Sequence, residues 1–139
     1  MRATDSSAAR RLFGSARVVR LASVSAQGRP HLVPCTFAMD GDLIYTAVDH
    51  KPKTTANLKR LRNIRANPRV ALLADHYNED WSALWWVRAD GHASIIDDEA
   101  AMSRPIDLLV ARYSQYARQR PAGPVIVIRV DHWTGWSPG

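Results

Sequence analysis

The residues that most strongly suggest chemistry stand close together between positions 50 and 57. They are an imidazole, two ammonium groups, a hydroxyl and an amide, on His50, Lys51, Lys53, Thr54 and Asn57. A phosphate is bound by several donors converging from one side, and each charge-assisted hydrogen bond contributes roughly 1.5–3 kcal/mol. A helix beginning at Thr54 or Thr55 would add free N–H groups and a positive dipole end. The spacing predicts an anion site, and a charged loop in water is the alternative interpretation.

The charge pattern around this segment favours an anionic ligand. The chain has 19 Lys and Arg against 13 Asp and Glu, a formal net charge of +6, which attracts anions. Residues 50–74 contain no acidic residue and seven basic ones: Lys51, Lys53, Lys59, Arg60, Arg62, Arg65 and Arg69. A solvated helix face usually mixes both signs, so the pattern points to an anionic ligand or a nucleic acid. Because no nucleic-acid-binding signature is present, we expect no nucleic-acid partner.

The tryptophans form a second group of candidate binding residues. The five are Trp81, Trp85, Trp86, Trp133 and Trp136. Trp85 and Trp86 are adjacent in a strand-like run, so their side chains point to opposite faces and cannot both enter one core. We expect one of this pair to meet a planar ligand or a partner chain, and core packing is the default for the other tryptophans.

No side chains have the spacing of a catalytic or metal site. Cys35 lies in an apolar run beside Pro34 with no neighbour that would lower its pKa, and is interpreted as a small core residue. The five histidines and the single cysteine lack zinc-ligand spacing, so no metal is expected. Without an evident acid, base or nucleophile, a reaction here would depend on a cofactor.

The elements that must position these residues are mostly strands. A chain of 139 residues suits one domain, spanning 1–139. Six runs rich in β-branched or aromatic residues predict strands, over 16–24, 31–39, 43–48, 69–76, 81–96 and 125–130. Asp40-Gly41, between the second and third runs, favours a tight hairpin. Asp90-Gly91 should bend the long fifth strand.

Helices and turn signals complete a fold-class prediction. Helices are expected over 7–13 with Gly14 as the stop, from Thr54 or Thr55 to the residue before Asn67-Pro68, and over 97–103 and 104–118. Pro34 lacks a donor N–H, which favours an edge strand or a bulge where a sheet can open to a ligand. No dinucleotide-binding or phosphate-loop motif occurs. The pattern predicts an α+β, mostly antiparallel domain: a six-stranded split β-barrel with peripheral helices.

The compartment follows from what the sequence lacks. No apolar run approaches the ~20 residues of a membrane span, and residues 1–11 lack the apolar core of a signal peptide. A single cysteine cannot form an internal disulfide. We expect a cytoplasmic protein with no membrane partner.

Four runs carry a resemblance to a known family: GRPHLVPCTF (28–37), HKPK (50–53), NPRV (67–70) and WWVRADGHA (85–93). The chain resembles the flavin/deazaflavin split-barrel proteins, which have the pyridoxamine-phosphate-oxidase-like fold. Within them it is most similar to the actinobacterial branch of F420-dependent oxidoreductases. The resemblance implies an FMN-binding split barrel that forms a homodimer, with cofactor sites at the interface.

The resemblance also implies which residues bind the cofactor. Those expected along the tricyclic ring, through their backbone, are Val33, Pro34, Cys35 and Thr36. Those expected at the phosphate and the acidic tail are His50, Lys51, Lys53, Thr54 and Asn57. The strand expected to complete the groove from the second subunit carries Trp85, Trp86 and Arg88. Trp136 would cover the ring.

The implied reaction is hydride transfer between C5 of the deazaflavin coenzyme F420 and an unsaturated small organic substrate. His31 and Arg88 are the candidate proton donors. The alternatives are an FMN-binding oxidase or reductase of the same fold, and a non-catalytic cofactor-binding protein. The acid-free residues 50–74 suit the deazaflavin, because its phosphate and glutamate tail make it more anionic than FMN.

Overall fold

The computed structural model describes residues 2–48 and 55–138, with side chains from residue 3 and, in the second range, from residue 59. Its strands in chain order are β1 (Arg2–Ala3), β2 (Val19–Val24), β3 (Pro30–Cys35), β4 (Ala38–Asp40), β5 (Leu43–Ala47), β6 (Arg69–His76), β7 (Trp85–Ile96) and β8 (Val125–Ser137). Its helices are α1 (Ser6–Ser15), α2 (Thr55–Ala66), α3 (Glu99–Arg112) and α4 (Ser114–Arg118). None of these helices is both long and apolar enough to cross a bilayer.

The strands of the described ranges form one antiparallel sheet that curls into a split barrel. Its order is β3-β2-β6-β7-β8-β5-β4, and β1 pairs with β8. Two residues, Thr36 and Phe37, link β3 to β4, the two ends of this path. Such a link spans about 10 Å, so the edges approach each other, and Cys35 shares a side-chain hydrogen bond with Thr46 of β5. The predicted mostly antiparallel α+β class is confirmed.

The predicted single strand over 31–39 is wrong. The chain leaves the sheet after Cys35, where the pairing of β3 with β2 ends at Val19↔Cys35, and re-enters it at the opposite edge as β4. The hairpin predicted at Asp40-Gly41 is confirmed between β4 and β5, since Asp40 pairs with Leu43 and Gly41 has a φ of 62°. This break and the short β1 replace the predicted six strands with seven along the sheet order plus β1, counted over the described residues.

Two predicted features of the strands, the edge position of Pro34 and the bend at Asp90-Gly91, are confirmed, and the predicted last strand is too short. Over the described residues β3 pairs with β2 alone, so Pro34 lies on an edge strand. The long strand β7 shifts register against β8 between Asp90 and Gly91, where a Cβ on Gly91 would overlap the backbone carbonyl of Arg129. β8 continues from position 130 to Ser137 because β7 and β1 supply partners for the aromatic tail.

The helices differ from the predictions mainly at their ends. Asp5 caps α1 by accepting a hydrogen bond from the N–H of Ala8 at 2.8 Å. Gly14 does not stop this helix, which ends at Ser15 with Ala16 as the C-cap. α2 begins and ends as predicted. The two predicted C-terminal helices instead divide after Arg112, since α3 continues through Pro105, which is buried within it.

The main core fills the barrel. Phe13 of α1 meets Phe37 and Trp133 edge to face, with ring centroids 5.1 and 5.3 Å apart. Buried side chains from β2, β5 and β6, such as Leu21, complete this layer. Each contributes roughly 1.5–3 kcal/mol of transfer free energy. α3 covers a second, smaller cluster beside β5.

Arg112, at the end of α3, fastens the link between β3 and β4. Its guanidinium donates to the backbone carbonyls of Phe37 at 3.0 Å and Gly14 at 2.9 Å, and also to that of Ala16. It stacks over the Phe37 ring at 4.4 Å. The Tyr113 hydroxyl accepts from the Phe37 N–H at 3.2 Å. The tight turn between the two sheet edges therefore depends on donors from α3.

Candidate functional site

The four residues predicted along a tricyclic ring lie together at the end of β3. Val33 and Cys35 are partly buried and pack against the main core, while Pro34 is exposed. Thr36 begins the link to β4, and its hydroxyl lies 2.7 Å from that of Tyr116. Since β3 pairs on one side alone over the described residues, its other edge presents backbone groups that a flat polar ligand could meet.

Cys35 has the properties of a packed thiol. Burial raises its pKa, and a hydrogen bond with Thr46 and the charge of Arg60 oppose that rise only in part. A thiol with a raised pKa is a weak nucleophile at neutral pH. The structure thus supports the interpretation of Cys35 as a small core residue.

His31 lies on the same strand, close to α2. Its cross-strand partner is Ser23, whose hydroxyl accepts a hydrogen bond from Asn63 at 3.2 Å. Burial, followed by the charges of Lys59 and Arg60, lowers the pKa of His31. Its Nδ1 is buried and has no hydrogen-bond partner among the described residues. His31 is therefore a neutral imidazole with an unused polar atom beside a cationic helix.

Most of the predicted anion site falls outside the described residues. This holds for His50, Lys51, Lys53 and Thr54. Asn57 lies in the first turn of α2, where the backbone alone is described. Since α2 begins at Thr55, the expected helix N-terminus does follow this segment. The grouping of the side chains stays a prediction.

Three of the five tryptophans, Trp85, Trp86 and Trp136, line a pocket at the ends of β6, β7 and β8. It has a volume of about 460 Å³ and is lined mainly by apolar and aromatic side chains, namely Leu73, Asp75, His76, Tyr77, Leu84, Trp85, Trp86 and Trp136. We call this the tryptophan pocket. A cleft of this size and lining is typical of sites for small molecules.

The sheet register explains how Trp86 and Trp136 meet there. Trp86 is the cross-strand partner of Trp136 on one side and of Asp75 on the other, so these side chains share a face. Trp85 points to the opposite face and packs against the main core, as the alternation predicts. Its ring stacks on His76, with centroids 6.4 Å apart and planes inclined by 23°. The indole Nε1 of Trp136 is buried without a hydrogen-bond partner among the described residues.

Some predicted residues lie elsewhere. Arg88 does not line the tryptophan pocket; it is exposed, and its Nε donates to Asp90 at 3.0 Å. Trp81, expected in the core by default, is 68% exposed. Sequence reasoning missed His76 and Asn63. The signal for His76 was its place at the end of a predicted strand. The signal for Asn63 was an amide between Leu61 and Ile64 on an apolar helix face.

The two halves of the candidate site are separated within one chain. β2 lies between β3 and β6, the nearest strand of the pocket, and two to three interstrand steps of about 4.8 Å place the pocket residues roughly 10–14 Å from the β3 edge along the sheet. Among the described residues no three His, Cys, Asp or Glu side chains are placed to hold a metal ion. The described residues of the site therefore offer a ligand aromatic stacking, backbone hydrogen bonds and positive charge.

This arrangement defines the class as the split β-barrels of the α+β type, with a curled antiparallel sheet and an open edge strand. Within that class the chain belongs to the pyridoxamine 5'-phosphate oxidase family, whose model matches residues 6–137. No curated protein matches the chain in sequence.

Solved structures agree on the fold. An FAD-binding protein from Mesorhizobium loti is 21% identical with a TM-score of 0.76, over 96% of this chain and 95% of that one. The FAD-binding protein from Mycobacterium smegmatis is 15% identical with a TM-score of 0.66, over 98% and 97%. The haem storage protein HutZ from Vibrio cholerae is 16% identical with a TM-score of 0.70, over 92% and 90%. At these identities the likeness shows the fold alone.

Proposed function

We propose that this protein is an oxidoreductase that uses the deazaflavin coenzyme F420 and reduces an unsaturated small organic substrate. The observation that carries the proposal is the tryptophan pocket, a largely apolar cleft with stacked rings and one imidazole. A largely apolar, aromatic lining suits a flat ring and an apolar substrate, and that suits cofactor-dependent hydride chemistry better than hydrolysis. Bound deazaflavin would supply that chemistry at its C5.

The described residues fit a flat, anionic cofactor. Among the described residues the outer edge of β3 is unpaired and offers backbone groups to a ring. On the same strand, the Nδ1 of His31 has no hydrogen-bond partner within those residues. α2 carries Lys59, Arg60, Arg62 and Arg65 without an acidic residue. That charge favours the more anionic deazaflavin over FMN. Lys51 and Lys53, outside the described residues, are proposed to anchor the phosphate.

We further propose that the site is completed by a second copy of the chain. The tryptophan pocket and the β3 edge are about 10–14 Å apart along one sheet, with β2 between them, so the two do not adjoin within one protomer. The outer sheet face between them carries exposed apolar residues, with Leu32 at 67% and Leu73 at 38% exposure. Pairing this face with its copy would bring the pocket of one protomer to the β3 edge of the other.

His76 is the proposed proton donor to the substrate. It lines the pocket and is held by stacking on Trp85. Arg88 is engaged by Asp90 outside the pocket, and His31 lies on β3 rather than among the pocket residues. Substituting His76 by Gln should lower kcat far more than cofactor affinity, because the imidazole would act on the substrate.

The test is a side-by-side titration of the purified protein with F420, FMN and FAD. We expect F420 fluorescence to change at micromolar concentration, and Lys51→Ala/Lys53→Ala to weaken that binding by at least tenfold. Arg118→Gln, an exposed cation on α4, is the matched control. Tighter binding of FMN or FAD would replace the deazaflavin assignment by a flavin one. Absence of binding by all three up to millimolar concentration would reject the proposal.

A further inference from the structure

A second cleft of a different character lies between α2 and the turn that joins β2 to β3. Its volume is about 420 Å³ and its lining is polar and basic: Ser25, Ala26, Gln27, Arg29, Lys59, Arg62, Asn63 and Ala66. We call it the basic pocket. It contains three cations and no carboxylate, and it is separate from the tryptophan pocket, with which it shares no residue.

Both walls of the basic pocket are fixed by hydrogen bonds. On the turn, the Ser25 hydroxyl accepts from the N–H groups of Gln27 at 3.2 Å and Arg29 at 3.0 Å. On α2, the side chain of Asn63 is 3% exposed and donates to Ser23 of β2. The α2 residues of the pocket stand at spacings of three, four and seven, which places them on one helix face.

The three cations of the pocket have no carboxylate partner among the residues that the structure describes. Within the described part of the chain, Arg29, Lys59 and Arg62 form no ion pair, whereas Arg10, Arg20, Arg88, Arg104 and Arg120 each meet a carboxylate. The charge of Lys59 also acts on β3, since it contributes to the lowered pKa of His31. A concave surface with three uncompensated cations attracts anions.

We propose that the basic pocket binds a flexible chain that carries two or more negative charges, such as an oligoglutamate segment or an oligophosphate. A single small anion would engage only part of a cleft of about 420 Å³. Lys59 and Arg62 lie four and seven residues beyond the start of α2, about 6 and 10 Å along its axis. Three extended residues span about 10 Å, so a chain anchored at that helix end reaches the pocket.

This inference does not depend on the proposed reaction, because triglutamate and triphosphate can bind the basic pocket whether or not the protein uses F420. Two sources share the required chemistry. One is the acidic tail of the cofactor proposed above, held by the neighbouring helix start, and the other is a free oligoanion. The experiment separates them.

The experiment measures binding of triglutamate and of inorganic triphosphate to the full chain by isothermal titration calorimetry. The double variant Lys59→Gln/Arg62→Gln should weaken both by about tenfold, as expected for two partly exposed cations. Arg65→Gln is the matched control, since Arg65 is exposed on the same helix and does not line the pocket. Circular dichroism checks that all variants keep their helix content.

Each outcome decides the matter. Selective loss in the double variant supports the proposal, and equal weakening by Arg65→Gln overturns it in favour of diffuse attraction to the helix surface. No binding of either probe up to 10 mM at low salt also overturns it. Where the proposal holds, competition between triglutamate and F420 identifies the cofactor tail as the occupant. Independent binding of the two identifies a free oligoanion, and a failure of F420 alone affects the proposed function only.

Discussion

Replacing Arg112 by Met should destabilise the fold more than any other single charge removal on α3. The side chain joins three segments, since it donates to carbonyls of Gly14, Ala16 and Phe37 and stacks on the Phe37 ring. Burial lowers the pKa of its guanidinium, yet the group stays charged at neutral pH. Met keeps much of the volume and removes every donor.

The magnitude follows from the bonds lost. Hydrogen bonds to a charged group contribute about 1.5–3 kcal/mol each, but the three share one guanidinium and are not additive. We expect a loss of about 3–4 kcal/mol, a large part of a typical stability of about 5–15 kcal/mol. The milder substitution Arg112→Lys offers one ammonium that cannot reach all three carbonyls, so it should lose about 2 kcal/mol.

The assay is urea unfolding followed by tryptophan fluorescence, with Tm from circular dichroism. At about 3 °C per kcal/mol for a domain of this size, Arg112→Met should lower Tm by about 10 °C. Arg104→Gln is the control, because Arg104 sits on the same helix and pairs with Asp40 at the surface, where such a pair contributes about 0–1 kcal/mol. A loss below about 1 kcal/mol for Arg112→Met would show that the link between β3 and β4 is held by packing alone.

Three further predictions test other parts of the structure. Burial and nearby cations hold the pKa of His31 below 6.5, so the unfolded chain binds a proton on this imidazole more readily than the folded chain does. The free energy of unfolding should therefore fall as pH drops through about 6.5. His31→Gln should lack this slope in urea titrations between about pH 7 and 5. Gly91→Ala should lose about 2–3 kcal/mol because its methyl meets a backbone carbonyl, whereas Gly14→Ala, within α1, should be neutral or stabilising. The thiol of Cys35 should react slowly with a disulfide reagent in the native protein and quickly in urea, and a native rate equal to that of free cysteine would contradict its raised pKa.

Features encoded by local patterns could be predicted from the sequence. Pro34 lacks an N–H and, over the described residues, lies on an edge strand. Asp90-Gly91 marks a register shift because only Gly fits against the facing carbonyl. The start of α2 follows from its threonines and its end from Asn67-Pro68. Alternation also places Trp85 and Trp86 on opposite faces.

Features that depend on residues distant in the chain could not be predicted from the sequence. The break after Cys35 requires Arg112 and Tyr113, about 75 positions away, to satisfy the backbone of Phe37. Local propensity indicates only one uninterrupted β-rich run there. The tryptophan pocket is likewise a product of sheet register, which brings Trp136 beside Trp86. Register is set by the whole sheet and not by any single strand.

Within the described ranges β3 has one unpaired edge, and this edge also bears on solubility. An exposed edge strand with an apolar residue such as Leu32 is a template on which strands of other chains can assemble into aggregates. Pro30 and Pro34 both stand in β3, and each removes one amide donor that an added strand would require. The same strand keeps all its carbonyl acceptors. It can thus accept hydrogen bonds from a small ring while resisting the continuous ladder of a fibril.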